Sequence, residues 1–246
     1  MRFSTDALVI KEKIVNESDR LVTLMTRDRG VINAFAAGAK SIKSKKGAAT
    51  SLLSFSDFNI EEKNGIYRIR EAAIKHCFFS VGQDILDLAL SQYFCEICCV
   101  LGTSDSDCEE FLRIILNSLY FLSTKKKSNF FIKTVTELRI ACECGYKPDL
   151  VACCECGKYS EDETAFFKID DGVLFCPECK SGENCIKVSP AVLKAMRHTV
   201  YSELNKLYSF DLSENAAREM SGITEKYITY QTEHHFKTLD FYNSLL

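Results

Sequence analysis

The sequence predicts a multi-domain β + α protein: a small N-terminal β-barrel, then an α-helical domain with a cysteine-rich segment inserted in it. Three observations carry this expectation. Short β-branched runs dominate from Thr5 to His76, apolar residues recur at three and four after Ser80, and the pairs Cys153-x-x-Cys156 and Cys176-x-x-Cys179 interrupt that helical pattern.

The strands come first. "DALVIKEKIV" and "RLVTLMT" are short and rich in β-branched residues, and "TRDRGV" supplies a turn before "VINAFAAG". "FSDFNIEEK" and "IYRIREAAI" flank Asn64-Gly65, which marks a hairpin because both residues tolerate the positive φ of a type I′ turn. Five short antiparallel strands with one long loop from Ala39 to Ser51 fit a closed barrel of the OB type, with an SH3-like barrel as the alternative.

Helices follow. Ile85, Leu86, Ala89, Leu90, Tyr93, Phe94, Ile97 and Leu101 lie on one face, and "CEEFLRIILNSLYFL" and "FFIKTVTELRIAC" continue the period. After the cysteine segment, Ser189 as N-cap and Pro190 at the first helical position open a helix through "AVLKAMRHTVYSELNKL". Ser213 caps a last helix running towards Phe236. The expected domains are 1–79 for the barrel and 80–246 for the helical part, with the cysteine segment at 148–184.

Composition narrows the class. Apolar residues make up 46 % and charged residues 26 %, as in a soluble globular protein. The apolar stretch Ala7 to Ile10 is too short for an export signal, and Tyr93 to Leu101, interrupted by Glu96, falls short of the about 18 residues a membrane span needs. A cytoplasmic, nucleoid-associated protein with reduced thiols is expected, which makes Cys95, Cys98 and Cys99 small core residues rather than disulfide partners. Residues 1 to 80 hold 14 Lys and Arg against 9 Asp and Glu, a balance of +5, while the remainder carries −8. The barrel is therefore the part suited to an anionic partner.

Nineteen residues separate the two cysteine pairs, a spacing that suits a four-thiolate zinc site. Each two-residue gap lets a tight turn aim both sulfurs at one ion, and "AFFKIDDGVLFC" reads as a hairpin around Asp170-Asp171-Gly172, with Gly157 and Gly182 in the loops. Cys153, Cys156, Cys176 and Cys179 are thus the expected ligands of one Zn2+ ion. Four thiolates leave no open position for water or substrate, so the ion is expected to be structural. Cys142, Cys144, Cys154 and Cys185 are near enough in sequence to compete.

A catalytic set does not emerge. His76, His198, His234 and His235 form no His-Glu-x-x-His pattern, and Phe175 rather than proline precedes Cys176, against a zinc deaminase. "GAKS" at Gly38 lacks the adjacent Gly-Lys-Ser/Thr of a phosphate loop, and there is no Gly-x-Ser-x-Gly elbow. A binding protein and not an enzyme is expected. Lys40, Lys43, Lys45 and Lys46 on the long loop, with Arg20, Arg27 and Arg29, can follow a phosphate backbone without reading bases. Phe35 or Tyr67, if it faces outward, adds a stacking platform.

The order of these elements resembles the RecO family of bacterial recombination mediators over essentially the full length. The matching stretches are "ALVIKEKIVNESDRLVTLMTRDRGVINAFAAGAKSIKSKKGAATSLLSFS", "LRIACECGYKPDLVACCECG", "DDGVLFCPEC" and "HHFKTLDFYNSL". The resemblance implies an OB barrel, a helical domain and a zinc segment that some members lack. It implies a DNA repair and recombination role in which the protein, with RecR, acts on single-stranded DNA coated by single-strand-binding protein, anneals complementary strands and helps RecA load. Double-stranded DNA is a further implied ligand, and RecA an indirect partner. The basic loop around Lys43 becomes the DNA contact, and the helical domain becomes the dock for the acidic, apolar C-terminal tail of single-strand-binding protein. Arg113, Arg139 and Arg197 are the candidates for that dock. An RNA-binding zinc protein and a zinc-dependent nucleic-acid-processing enzyme are the alternatives.

Overall fold

The computed structural model describes residues 1–41, 44, 46–103, 107–159, 162–180 and 185–246. The chain forms two compact units, Met1–Ser123 with Phe236–Leu246, and Thr124–His235.

Five strands build the first unit's barrel: β1 (Arg2–Ile14), β2 (Arg20–Thr26), β3 (Val31–Ala36), β4 (Ser54–Lys63) and β5 (Ile66–Cys77). The ring closes in the order β1-β2-β3-β5-β4, with β4 returning to β1. This is an OB-type barrel, with β5 lying between β3 and β4. One pairing departs from the expected antiparallel set: β3 and β5 run parallel, with Ala34 opposite Tyr67 and Phe35 opposite Arg68. The long connection after β3 lets β4 cross over to β1, so β5 returns beside β3 in the same sense.

Alternation sends Ala7, Val9, Val22, Leu24, Ile32, Ala34, Ala36, Phe58, Ile60 and Ile69 inward, small residues beside large ones as a tapering interior requires. Asn64 and Gly65 take φ of 54° and 74°, the two positive values that a type I′ hairpin demands of β4 and β5. A register shift between Val9 and Lys11 lets Ile10 stay buried along with Leu8 and Val9 on either side of the strand.

Six α-helices follow among the described residues: α1 (Ile85–Leu101), α2 (Glu109–Thr124), α3 (Asn129–Glu143), α4 (Pro190–Tyr201), α5 (Glu214–Thr232) and α6 (Lys237–Ser244). The first unit holds α1, the body of α2, and α6. Asp84 caps α1 through the N–H groups of Leu86 and Asp87, and α1 packs on β1. Where α1 ends, a Cβ on Gly102 would stand 2.4 Å from Val31 Cγ2 and 2.5 Å from the Cys98 carbonyl oxygen. Only glycine fits there. Glu96, the acid that interrupts the apolar run of α1, accepts from the N–H groups of Lys237 and Thr238 at 3.3 and 2.9 Å and so caps α6.

The second unit packs α3, α4 and α5 around a four-stranded sheet: β6 (Asp149–Cys153), β7 (Ala165–Lys168), β8 (Val173–Phe175) and β9 (Cys185–Val188), ordered β6-β8-β7-β9. Leu150, Phe167, Leu174 and Val188 of the sheet share one core with Leu138, Val192, Met196, Met220 and Tyr227 of the helices. The ribbon therefore buries its apolar face in the helical core instead of forming a core of its own.

Two helices end earlier than periodicity predicts. α4 stops at Tyr201 instead of running to Leu207, and Arg139 Nη1 of α3 donates to the carbonyls of Thr199, Val200 and Ser202 at 3.4, 3.4 and 3.0 Å. Those carbonyls are taken by a side chain where further helix would have used them. α5, capped by Ser213 through the Ala216 N–H as expected, stops at Thr232 because Glu233 turns left-handed at φ 49°. Ser189 holds the N-cap position of α4, but its N–H and hydroxyl both go to the Glu219 carboxylate, at 2.8 and 2.9 Å.

Candidate metal centre and nucleic-acid interface

β6 and β8 pair in parallel, with Cys153 opposite Leu174, so the turns after both strands lie at one end of the sheet. Those turns carry the two cysteine pairs. The Gly157 N–H donates to the Cys153 carbonyl at 2.9 Å, and the Cys179 N–H to the Cys176 carbonyl at 3.2 Å, closing each knuckle. The sulfurs of Cys153, Cys156, Cys176 and Cys179 all lie within 4.8 Å of one another. Cys156 Sγ and Cys176 Sγ are 3.8 Å apart, far beyond a disulfide. A tetrahedron with zinc–sulfur bonds of about 2.3 Å has edges of about 3.8 Å, so this spacing is the one a four-thiolate site needs. Cys142, Cys144, Cys154 and Cys185 do not belong to the cluster.

The electrostatics of the cluster also suit a cation. Burial opposes the Cys153 thiolate, but N–H groups of Cys156, Cys176 and Glu155 outweigh it and bring the thiol down to about 6. Cys176 is pushed up, first by the neighbouring Glu178 side chain and then by burial. Cys179 is pushed up by the side chains of Cys156 and Cys176. Ionising one sulfur thus opposes ionising the next, and a divalent ion among them removes that conflict. The four-sulfur donor set fits such an ion and can hold zinc.

On the barrel, the expected contacts scatter into different roles. Lys40 is exposed and Lys46 half-buried, while Lys43 and Lys45 lie outside the described residues. Arg20 reaches the Gly47 carbonyl at 3.0 Å, Ser51 Oγ at 3.1 Å and Glu12 at 3.5 Å, pinning the long loop to the barrel. Arg27 pairs with the buried Asp6, which Lys75 also contacts. Arg29 places its guanidinium 4.1 Å from the centre of the Phe3 ring. Phe35 is half-buried and lies between the inward Ala34 and Ala36, so it faces outward.

The register gathers a set of residues around Phe35 that the linear sequence does not reveal. Lys13 stands opposite Leu21, Leu21 opposite Phe35, and Phe35 opposite Arg68. Lys13, Leu21 and Arg68 are exposed, and Ile66, two residues before Arg68, is exposed as well. A row across four strands, about 14 Å at the usual strand spacing, thus has a cation at each end and an aromatic ring between them. Lys13 and Arg68 carry no ion pair among the described residues, whereas Arg2 and Arg70 both pair with Glu61. No composition signal marks Lys13 or Arg68, because only strand pairing brings them together.

The three arginines expected to dock a partner have different local surroundings. Arg113 is exposed on α2 in the first unit. Arg139, besides bonding the end of α4, pairs with Glu143 at 2.8 Å, and Arg197 donates to the carbonyls of Leu150 and Val151 at 2.7 and 3.0 Å.

Together these features define a class of protein: an OB-type barrel followed by a helical domain that carries a four-cysteine ribbon. The model of the N-terminal part of recombination protein O matches residues 1–78, and that of its C-terminal part matches residues 82–240. The chain belongs to the recombination protein O (RecO) family. It is similar to the DNA repair protein RecO of Caldicellulosiruptor bescii, 30 % identical over 238 residues, covering 97 % of this chain and 96 % of that protein. The RecO protein of Acetivibrio thermocellus is 29 % identical over 242 residues, covering 98 % and 96 %. That of Clostridium novyi is 26 % identical over 243 residues, covering 99 % and 94 %. No helix among the described residues is long and apolar enough to cross a membrane.

Proposed function

We propose that this protein is a non-enzymatic mediator of DNA repair and homologous recombination. It binds single-stranded DNA, anneals complementary strands coated by single-strand-binding protein and, acting with RecR, promotes loading of RecA. Family membership supports the role, and the row Lys13–Leu21–Phe35–Arg68 is the observation that carries the DNA contact. Lys13 and Arg68 offer charge to successive phosphates while Phe35 offers a ring face to a base, an arrangement that tolerates any sequence. The loop lysines Lys40, Lys43, Lys45 and Lys46 extend that charge, and Arg20 contributes by holding the loop. Arg27 and Arg29 add cations at the turn between β2 and β3.

Annealing on such a surface makes and breaks no covalent bond. It neutralises phosphate repulsion and aligns strands. Cys153, Cys156, Cys176 and Cys179 would hold one zinc ion, which supplies a cross-link between two turns and no open coordination position. The acidic, apolar tail of single-strand-binding protein needs apolar side chains with a cation among them. A cavity of about 470 Å³ in the second unit, lined by Ile169, Ile186, Tyr230 and Lys226, offers both, with Asp170 and Glu225 also in its lining. Arg113, Arg139 and Arg197 are the alternative anchors for that tail.

Titration of a fluorescent oligothymidylate at several salt concentrations tests the barrel reading. Lys13→Glu with Arg68→Glu is expected to weaken binding and to lower the slope of log affinity against log salt by about 0.7 for each phosphate that is no longer neutralised. Unchanged affinity and slope would remove the row from the site.

A further inference from the structure

β4 and β5 pair with Asn59 opposite Glu71 and Ile60 opposite Ile69, which leaves Arg70 as the extra residue of a β-bulge. A bulge re-aims the side chain it carries, and Arg70 is exposed together with Arg68 and Glu71 on either side of the buried Ile69. The same register sets Glu61 of β4 opposite Arg68 on one side and opposite Arg2 of β1 on the other. Glu61 bonds two arginines at once. Arg2 Nε donates to its Oε1 at 3.2 Å, Arg70 Nε to its Oε2 at 3.0 Å, and Arg70 Nη2 to that same Oε2. Hydrogen bonds from Arg70 and then Arg2 hold the Glu61 carboxyl below its usual range. The side chains of Arg2 and Arg70 stay 70 % and 50 % exposed. Beside them lies a depression of about 360 Å³ lined by Arg2, Asn59, Arg70 and Glu71.

We propose that Arg2 and Arg70 form a further seat for a phosphate of single-stranded nucleic acid, and that Glu61 fills this seat in the unbound chain and yields it when a strand binds. Two guanidiniums that converge on one carboxylate offer the same donors that a phosphate accepts. Ion pairs as exposed as these contribute little to stability, so exchanging the carboxylate for a phosphate costs little. The seat is continuous with the barrel row. Arg68 has Phe35 as its neighbour on β3 and Glu61 as its neighbour on β4, so the row Lys13–Leu21–Phe35–Arg68 runs on through Glu61 to Arg2 and ends on β1, the strand where it began. An acidic peptide would satisfy the two arginines but not the outward Phe35 ring further along the row, which favours a nucleic acid.

This seat rests on the reading of the barrel as a single-strand contact and adds to it a carboxylate that limits affinity. Removing Glu61 then tightens binding only where its two arginine partners are present to be released.

The test uses the full chain and a fluorescent oligothymidylate at several salt concentrations. Arg2→Gln with Arg70→Gln is expected to lower affinity about fivefold and to reduce the slope of log affinity against log salt by about 0.7, the loss of one phosphate contact. Glu61→Gln keeps the length of the side chain and removes its charge. It is expected to raise affinity about threefold in the otherwise unaltered chain and to change nothing in the Arg2→Gln, Arg70→Gln background. Equal urea midpoints show that each variant is folded. An equal gain from Glu61→Gln in both backgrounds would make Glu61 a distant charge and overturn the proposal, as would unchanged or lowered affinity in the otherwise unaltered chain. An unchanged salt slope in the double arginine variant would overturn it too, and weaker binding of a labelled acidic peptide by that variant would then assign the seat to a protein partner. In each of these cases, weaker binding by Lys13→Glu with Arg68→Glu leaves the functional reading intact. No binding of any oligonucleotide by the unaltered chain would overturn both.

Discussion

Phe35 is the residue on which the barrel reading turns. Its neighbours along β3 fill the barrel interior, while its own ring faces outward beside Leu21 and Arg68. Phe35→Ala is therefore expected to cost about 1–3 kcal/mol of single-strand affinity with a smaller effect on stability, measured by paired binding titrations and urea melts. A large fall in stability with unchanged affinity would return Phe35 to a packing role. In the ribbon, Cys156→Ser or Cys179→Ser should abolish stoichiometric zinc and lower the unfolding midpoint, read by metal analysis of the purified variant. A zinc-to-protein ratio equal to the unaltered chain's would exclude the substituted sulfur as a ligand. The cysteine cluster is legible in the sequence because two short spacings and one long one specify turns. Lys13 and Arg68 are not, because fifty-four residues separate them and only the register of four strands aligns them.

Elements meet through contacts that periodicity alone does not reveal. Between α3 and α5, Lys133 and Glu137 are wholly buried and 2.9 Å apart. Lys133 also reaches Glu225 at 2.9 Å and Ser221 Oγ at 3.1 Å, while Thr224 Oγ1 donates to Glu137 at 2.7 Å. A helical wheel marks Lys133 as one more charged residue, and the facing helix gives it a reason to be inside. Lys133→Met should cost about 3–5 kcal/mol, because it strands a buried carboxylate, and adding Glu137→Leu should recover most of that loss. Equilibrium urea unfolding of the single and double variants checks this, and additive losses would mean that the two groups do not act as a pair. In the first unit, Gly102→Ala is expected to lower stability by about 1–3 kcal/mol, since its methyl group would press on Val31 and the end of α1. The same distinction explains the helix ends. Ser213 announces the start of α5 from its own side chain, whereas the end of α4 depends on Arg139, which lies sixty residues earlier.

At the scale of the molecule, the barrel is the most legible part, because Asn64-Gly65 and the alternation of β2 and β3 state turn and face directly. Its parallel closure is not legible, since alternation fixes which side chains point inward but not which strands adjoin. The change from strand to helix after Cys77 is visible in the sequence, while the compact units divide at Ser123, with Phe236–Leu246 returning to the first. Glu96 and Phe236 account for that return: the acid caps α6, and the Phe236 ring packs edge-on against Tyr93 at 5.4 Å. Neither residue announces such a long-range contact on its own. The proposed role is to bring complementary strands together by charge and stacking, without covalent chemistry. The most direct measurement is the annealing rate of complementary strands pre-coated with single-strand-binding protein, with and without RecR, at two salt concentrations and with no nucleotide. Salt-sensitive acceleration with intact strands as the product is expected. Strand cleavage, or no acceleration in any mixture by folded, zinc-loaded protein, would contradict it.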